Sequence, residues 1–189
     1  EYVGVAVESH SPYYRARDEH EGDKSHAVFN MSGGEITGGD HIAVYIGGES
    51  GNEDWSNNYL EKQDHPTDDI FNMTGGSISD VRRDGTTGYR SFSFAVASAD
   101  TELGDYSVVD KTISVNDGIG VINHGNFTMD GGKIAKNTCT PKNNSFDSSI
   151  DGGGGVMNYG TFHLIRGEIS ENTAASGAGV YNCKGMLTM

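Results

Sequence analysis

Apolar residues along this chain follow a short recurring phrase and not a helical period. The phrase reads Phe127-Thr-Met-Asp-Gly-Gly-Lys-Ile134, with close copies at 29–36 and 71–78, a looser copy at 162–169 and a shortened one at 187–189. Phe and Met lie two positions apart, so both face one side of an extended strand. Gly-Gly then predicts a bend, and Ile resumes the strand. The pattern therefore predicts a strand–bend–strand unit that repeats along the chain.

A second, shorter phrase precedes several copies of the first. It reads Gly120-Val-Ile-Asn123 and recurs at 155–158 and 179–182. Aligning its valine predicts six coils with one inward column, formed by Val7, Val44, Val96, Val121, Val156 and Val180. Two positions after three of these valines come Asn123, Asn158 and Asn182, a spacing that predicts a ladder of side-chain amides.

These phrases predict an all-β chain folded as a right-handed parallel β-helix. We expect one domain over residues 1–189, a single-stranded solenoid of about six coils, with long insertions at the corners of the first four. No stretch has the period of an amphipathic helix. The alternative is a sandwich of short antiparallel strands, which offers no reason for the same phrase to recur with the same bend.

The combined phrase resembles a known class of repeat. Gly-Val-x-Asn followed by Phe-Thr-Met-x-Gly-Gly-x-Ile-Ser-x-Asn is similar to the parallel β-helix repeats, pectate-lyase-like solenoids, of secreted and surface proteins from gut-type anaerobic bacteria. The resemblance covers nearly the whole chain outside the insertions. It implies an extracellular or bacterial cell-surface location, and it leaves adhesins, polysaccharide lyases and glycoside hydrolases open as functions.

The amino-acid composition restricts the kinds of binding partner that we expect. The net charge of −14 disfavours nucleic acid, whose phosphates require a basic surface, and suits an exported protein. Two cysteines, Cys139 and Cys183, do not make a disulfide framework. The chain begins and ends within strand-like phrases, so we expect it to be part of a longer protein, whose remainder is one expected partner. No membrane span is visible.

Four insertions interrupt the repeats, at 8–27, 47–70, 80–91 and 138–153. The first two are predicted to leave the same corner of adjacent coils and to lie side by side, as insertions of repeat proteins do on a binding face. They hold aromatic residues suited to stacking on sugar rings, with two polar candidates for sugar hydroxyls: Trp55, Tyr59, Tyr13 and Tyr14, and then His10 and Arg15. The alternative is that these aromatics form a small core that holds the insertions down.

Two aspartates are the candidate catalytic pair. Asp110 replaces the Gly-Gly bend in the irregular third coil, and Asp117 follows seven residues later. Glycoside hydrolysis needs two carboxyl groups, about 5–5.5 Å apart for retention or about 6.5–9.5 Å for inversion, one as acid and one as nucleophile or base. A straight strand would place these two roughly 23 Å apart, so only a bent path brings them together. The pair resembles the two closely spaced aspartates of β-helix lacto-N-biosidases, which release a disaccharide from milk-type and mucin-type glycans.

Three functions follow from these residues. Hydrolysis of a host or plant-type oligosaccharide or polysaccharide by Asp110 and Asp117 comes first. A non-catalytic adhesin or glycan-binding stalk module is the alternative, and a polysaccharide lyase is a further one. We expect no cofactor, although acidic insertions leave a structural Ca²⁺ open.

Overall fold

The chain is all-β in the part that the structure, a computed structural model, describes. That part comprises residues 3–7, 26–39, 42–47, 68–84, 89–97, 106–114, 119–140, 152–183 and 185–189. Its strands are β1 (Val3–Val7), β2 (Val28–Thr37), β3 (Ile42–Ile46), β4 (Ile70–Ser79), β5 (Arg82–Asp84), β6 (Tyr89–Ala97), β7 (Tyr106–Ser114), β8 (Val121–Asn123), β9 (Asn126–Ala135), β10 (Thr138–Thr140), β11 (Val156–Asn158), β12 (Thr161–Ser170), β13 (Val180–Asn182) and β14 (Met186–Thr188).

Two five-stranded parallel sheets form the body of the protein. Sheet I has the order β1-β3-β8-β11-β13 and contains the shorter phrase, whereas sheet II has the order β14-β12-β9-β4-β2 and contains the longer one. Copies of a phrase pair in register, so that Phe71 lies beside Phe127, and Phe127 beside Phe162. Identical apolar faces favour this register because a slip of one residue would turn them outward.

The predicted single-stranded right-handed β-helix of six coils is wrong. The strands that hold the repeats belong to two separate parallel sheets packed against each other, and among the described residues no closed solenoid joins them. Besides these two sheets, the described residues form a two-stranded parallel sheet of β5 and β10, an antiparallel pair of β6 and β7, and isolated bridges from Thr138 to Thr173 and from Gly152 to Ser176. The phrase specifies which strands are neighbours, but it does not specify how the connections close.

The third predicted coil is also absent. Its residues form β6 and β7, an antiparallel pair that runs from Tyr89 opposite Ser114 to Ala97 opposite Tyr106. Strand β3 therefore pairs directly with β8, and Val96 lies outside the valine column. Val44, Val121, Val156 and Val180 do align, but the residue beside Val44 in β1 is Val5, while Val7 lies beside Ile46.

The core fills the space between sheets I and II. Phe, Met and Ile of the two central copies of the longer phrase are inaccessible, as in Phe71, Met73 and Ile78, whereas Phe29, Ile36 and Ile169 of the outer copies are partly buried. The phenylalanines stack nearly parallel along sheet II: ring centroids are 5.1 Å apart for Phe29 and Phe71, 4.8 Å for Phe71 and Phe127, and 4.6 Å for Phe127 and Phe162. Valines of sheet I close the same cluster from the other side.

Two columns of asparagine side chains cross the strands. In the predicted column, Asn123 Nδ2 donates to Asn158 Oδ1 at 2.7 Å, and Asn158 Nδ2 donates to Asn182 Oδ1 at 2.6 Å, which confirms the amide ladder. The second column was not predicted: Asn137 Nδ2 donates to Asn172 Oδ1 at 3.0 Å. Asn123, Asn158 and Asn137 are fully buried, so each amide satisfies another buried polar group.

From the second bend onward, the last glycine of the bend makes room for a methionine from the preceding phrase. Gly76 and Gly132 have φ of +84° and +81°, in the left-handed region that favours glycine. A Cβ on Gly76 would lie 2.7 Å from Met31 Cε, and one on Gly132 would lie 2.6 Å from Met73 Cε. The bend thus sets both the direction of the strand and the packing of the methionine column.

Gly132→Ala should therefore destabilise the protein by about 2–4 kcal/mol, since alanine is disfavoured at this φ and its methyl group would displace Met73. Gly33→Ala is the matched control: no atom lies within 4 Å of its added Cβ. We expect it to change the free energy of unfolding by less than about 0.5 kcal/mol. Urea denaturation measures both, and equal effects would contradict the proposed packing.

Candidate functional site

Two long insertions leave the sheets at adjacent points. Val7 at the end of β1 lies beside Ile46 at the end of β3, and the backbone N–H of Gly47 donates to the carbonyl of Val7 at 2.7 Å. The strands that precede the insertions at 8–27 and 47–70 thus end side by side, whereas the path of the insertions themselves lies outside the described residues.

The same two insertions also return at adjacent points. The N–H of Ile70 donates to the carbonyl of Ala27 at 2.8 Å, and the N–H of Ala27 donates to Asp69 Oδ1 at 2.8 Å. Asp69 is buried, with 1 % of its surface exposed, so this carboxylate is part of the anchor. We call the region of Val7, Ile46, Ala27 and Asp69 the insertion edge.

The next connections along this edge are short turns. Two residues, His124 and Gly125, join β8 to β9, and two more, Tyr159 and Gly160, join β11 to β12. The backbone is close-packed here, because a Cβ on Gly125 would collide with the carbonyl oxygen of Asp69. The long connections along this edge, from β1 to β2 and from β3 to β4, follow the neighbouring strands β1 and β3.

A row of rings lies beside the insertion edge. The rings of His124 and Tyr159 stack with their centroids 4.6 Å apart and an interplanar angle of 3°. The ring centroid of Tyr45 lies 5.7 Å from that of His124, with an interplanar angle of 49°. His124 and Tyr45 are buried, whereas Tyr159 is half-buried. These three residues were not predicted to be functional, although the parallel between Asn123-His-Gly125 and Asn158-Tyr-Gly160 marks the two turns as equivalent.

The outer face of sheet I is apolar. Ile42, Tyr45, Ile122 and Met157 are all buried there, and Tyr181 packs against them. Parallel sheets commonly have both faces covered, which explains why the short strands of sheet I lack the polar alternation of a half-exposed sheet.

The outer face of sheet II is polar and charged. Arg166 Nε donates to Asp130 Oδ1 at 2.6 Å, and Lys133 Nζ lies 2.9 Å from Glu168 Oε1. The hydrogen bond from Arg166 lowers the pKa of Asp130 and in turn raises the pKa of Arg166. Hydrogen bonds from Ser170 and then Lys133 lower the pKa of Glu168, and that from Lys133 to Glu168 raises the pKa of Lys133.

The Asp130 carboxyl should titrate below its ordinary pKa, and Arg166→Gln should return that pKa toward the ordinary value. Because the folded-state pKa is depressed, the stabilising contribution is present above the unfolded-state pKa and is lost as pH falls through the folded-state pKa. NMR titration of the Asp130 side chain measures both. An unchanged Asp130 pKa in the variant would contradict the ion pair. In the original protein, high salt should weaken the ion pair and so reduce the shift of the Asp130 pKa.

Of the predicted catalytic pair the structure describes only Asp110, so its pairing with Asp117 stays a prediction. Asp110 was expected at a bend, but it lies inside β7, opposite Ser93 of β6. That expectation is wrong because the third phrase forms an antiparallel pair instead of a bent coil. Asp117 lies outside the described residues, as do the predicted sugar-binding residues Trp55, Tyr59, Tyr13, Tyr14, His10 and Arg15.

Among the residues that the structure describes, no group of three or more His, Cys, Asp or Glu side chains is arranged to hold a metal ion. The same residues include no helix long and apolar enough to cross a membrane. Cys139 lies in the core between the sheets, whereas Cys183 packs with the cluster on the outer face of sheet I.

Comparison with known proteins identifies no relative: no family model matches the chain, and neither a curated protein nor a solved structure is significantly similar to it.

Proposed function

We propose that this chain is a glycan-binding module of an exported or cell-surface protein, with the insertions 8–27 and 47–70 as its binding region. The observation that supports the proposal is the insertion edge, where both insertions depart and return at hydrogen-bonded, adjacent positions. Their sequences contain Trp55, Tyr59, Tyr13 and Tyr14, whose rings suit stacking on sugars. His10 and Arg15 suit hydrogen bonds to sugar hydroxyls.

The acidic charge of the chain favours a neutral glycan over a uronate polymer or nucleic acid. With a net charge of −14, the protein repels polyanions unless a cation bridges the two. This argument places a polysaccharide lyase below a module that binds neutral oligosaccharides or polysaccharides.

Binding is preferred here to glycoside hydrolysis because of the position of Asp110. From Asp110, β7 continues to Ser114 as an extended strand and advances by about 13 Å. A hydrolytic pair needs its carboxyl groups within about 9.5 Å, so only the three residues from 115 to 117 could bring Asp117 back. Nothing in β7 itself favours that return.

A glycan array that includes milk-type and mucin-type oligosaccharides tests the proposal. We expect a neutral glycan to be retained, and the double variant Trp55→Ala/Tyr59→Ala to lose most of that binding, about tenfold or more. His163→Ala, on the outer face of sheet II, is the control and should bind as before. Retention of no glycan, or equal binding by the double variant, would overturn the proposal.

The same glycan should be followed by mass spectrometry for cleavage. We expect no product. Product released by the original protein and abolished by Asp110→Asn/Asp117→Asn, with binding intact, would replace the binding module by a glycoside hydrolase.

A further inference from the structure

One position of the repeat changes in character where the insertions return to sheet II. The residue that precedes the longer phrase is glycine in three copies, at 125, 160 and 185, but alanine at 27 and aspartate at 69. Gly125 and Gly160 have no room for a side chain, because an added Cβ would collide with the carbonyl oxygens of Asp69 and Gly125 respectively. At Asp69, however, a charged side chain stands in this glycine column, and it is buried.

The backbone N–H groups of this column need an acceptor, and the amide ladder supplies it in the short turns. The N–H of Gly125 donates to Asn123 Oδ1 at 3.1 Å, and the N–H of Gly160 donates to the carbonyl of Asn123 at 3.0 Å. The strands that precede the insertions have no such asparagine: Ile46 of β3 lies beside Asn123, and Val7 of β1 lies beside Ile46. Their apolar side chains offer no acceptor.

Asp69 supplies the acceptor instead. The N–H of Ala27 donates to Asp69 Oδ1 at 2.8 Å, and the N–H of Ile70 donates to the carbonyl of Ala27 at 2.8 Å. The carbonyl of Asp69 accepts from the N–H of Asn126 at 2.8 Å, which joins this anchor to the first short turn. We propose that Asp69 is a positioning residue for both insertions: its carboxylate takes the place of a ladder asparagine and fixes the return of 8–27 against the return of 47–70.

The consequence for binding rests on the proposed function. A binding region made of two insertions binds more tightly when their relative position is already fixed, because ordering them on binding costs free energy. A carboxylate accepts a stronger hydrogen bond from a backbone N–H than a neutral oxygen does, and burial protects that bond from competing water. Asp69 contacts no sugar in this proposal and acts only through the ends of the insertions.

Amide hydrogen exchange, followed for single residues by NMR, tests the anchor without any glycan. In Asp69→Ala, exchange at the Ala27 and Ile70 amides should become faster by about tenfold or more, because the pair loses its buried acceptor. The Asn126 amide should exchange as in the original protein, since alanine keeps the main-chain carbonyl to which it donates. An unchanged rate at Ala27, or equal acceleration at all three amides, would overturn the proposed role.

Titration of the same variants on the array of neutral milk-type and mucin-type oligosaccharides tests the effect on binding. Asp69→Ala should weaken the retained interaction by about tenfold or more. Asp69→Asn keeps an oxygen acceptor at the same position, so it should restore the affinity to within about threefold of the original.

Asn137→Ala is the matched control. Asn137 is as buried as Asp69, and its Oδ1 accepts from the N–H of Val81 at 3.2 Å, but it follows the opposite end of β9 from the insertion edge. Its substitution should lower stability and leave the affinity of the folded protein unchanged. An equal loss of affinity in Asn137→Ala, or no recovery in Asp69→Asn, would overturn the positioning role. If the original protein retains no glycan, the proposed function alone fails, and hydrogen exchange still decides the role of Asp69.

Discussion

Phe127→Ala should destabilise the protein by about 3–5 kcal/mol, the largest effect that we expect from one core substitution. Phe127 is fully buried between Phe71 and Phe162, at ring-centroid distances of 4.8 Å and 4.6 Å. Removing its ring leaves a cavity in the middle of the column and breaks two stacked contacts at once. A rigid neighbour on each side limits how far the site can collapse.

Guanidinium denaturation of the original protein and the variant measures this loss, provided that both unfold in a single cooperative transition. Thr128→Ala is the control, since Thr128 is the next residue in β9 and points to the other face, where it is half-buried. It should cost less than about 1 kcal/mol. A Phe127→Ala variant as stable as Thr128→Ala would contradict a core held by the phenylalanine column.

Asn158→Ala should cost about 2–4 kcal/mol, the largest effect that we expect from a polar residue. The buried Asn158 side chain accepts from Asn123 Nδ2 at 2.7 Å and donates to Asn182 Oδ1 at 2.6 Å. It also donates to the carbonyls of Gly160 and Met186, each at 3.2 Å. Alanine replaces none of these bonds, so several buried polar groups lose a partner together.

Asn182→Ala is the matched control for the ladder. Asn182 is the exposed end of the same column, where water replaces the lost partners, and its substitution should cost less than about 1 kcal/mol. Urea denaturation of the two variants side by side gives the comparison. Equal losses of unfolding free energy in the two variants would contradict the inference that burial makes the ladder stabilising.

The amide ladder and the phenylalanine column both fix the register between neighbouring strands. A slip of one residue would part Asn123 from Asn158 and turn Phe127 away from Phe71 simultaneously. Sheets I and II therefore reinforce each other, because each contains a column that tolerates only one alignment. This shared register gives the insertion edge its adjacent anchors.

From the sequence, only the strand ends that anchor the two insertions could be predicted, and not the other residues of the candidate site. The position of the insertions next to Val7 and Ile46 predicts that they leave together, because the strands before them repeat. The row of Tyr45, His124 and Tyr159 was missed, since these residues occupy turn and outer-face positions that the inward pattern does not mark. Asp110 was misplaced because its strand alternates like its neighbours yet pairs with the preceding strand in the antiparallel sense.

The recurring phrases by themselves determine the strands, their inward residues and the amide ladder, because period-two alternation and identical neighbours leave one favourable register. Tertiary structure alone decided three further points: that the repeats divide into two packed sheets and not a closed coil, that β6 and β7 form an antiparallel pair, and that β3 lies directly beside β8. The physical reason is that alternation encodes which face of a strand is buried. It encodes neither the direction of the neighbouring strand nor the path of the connection between them.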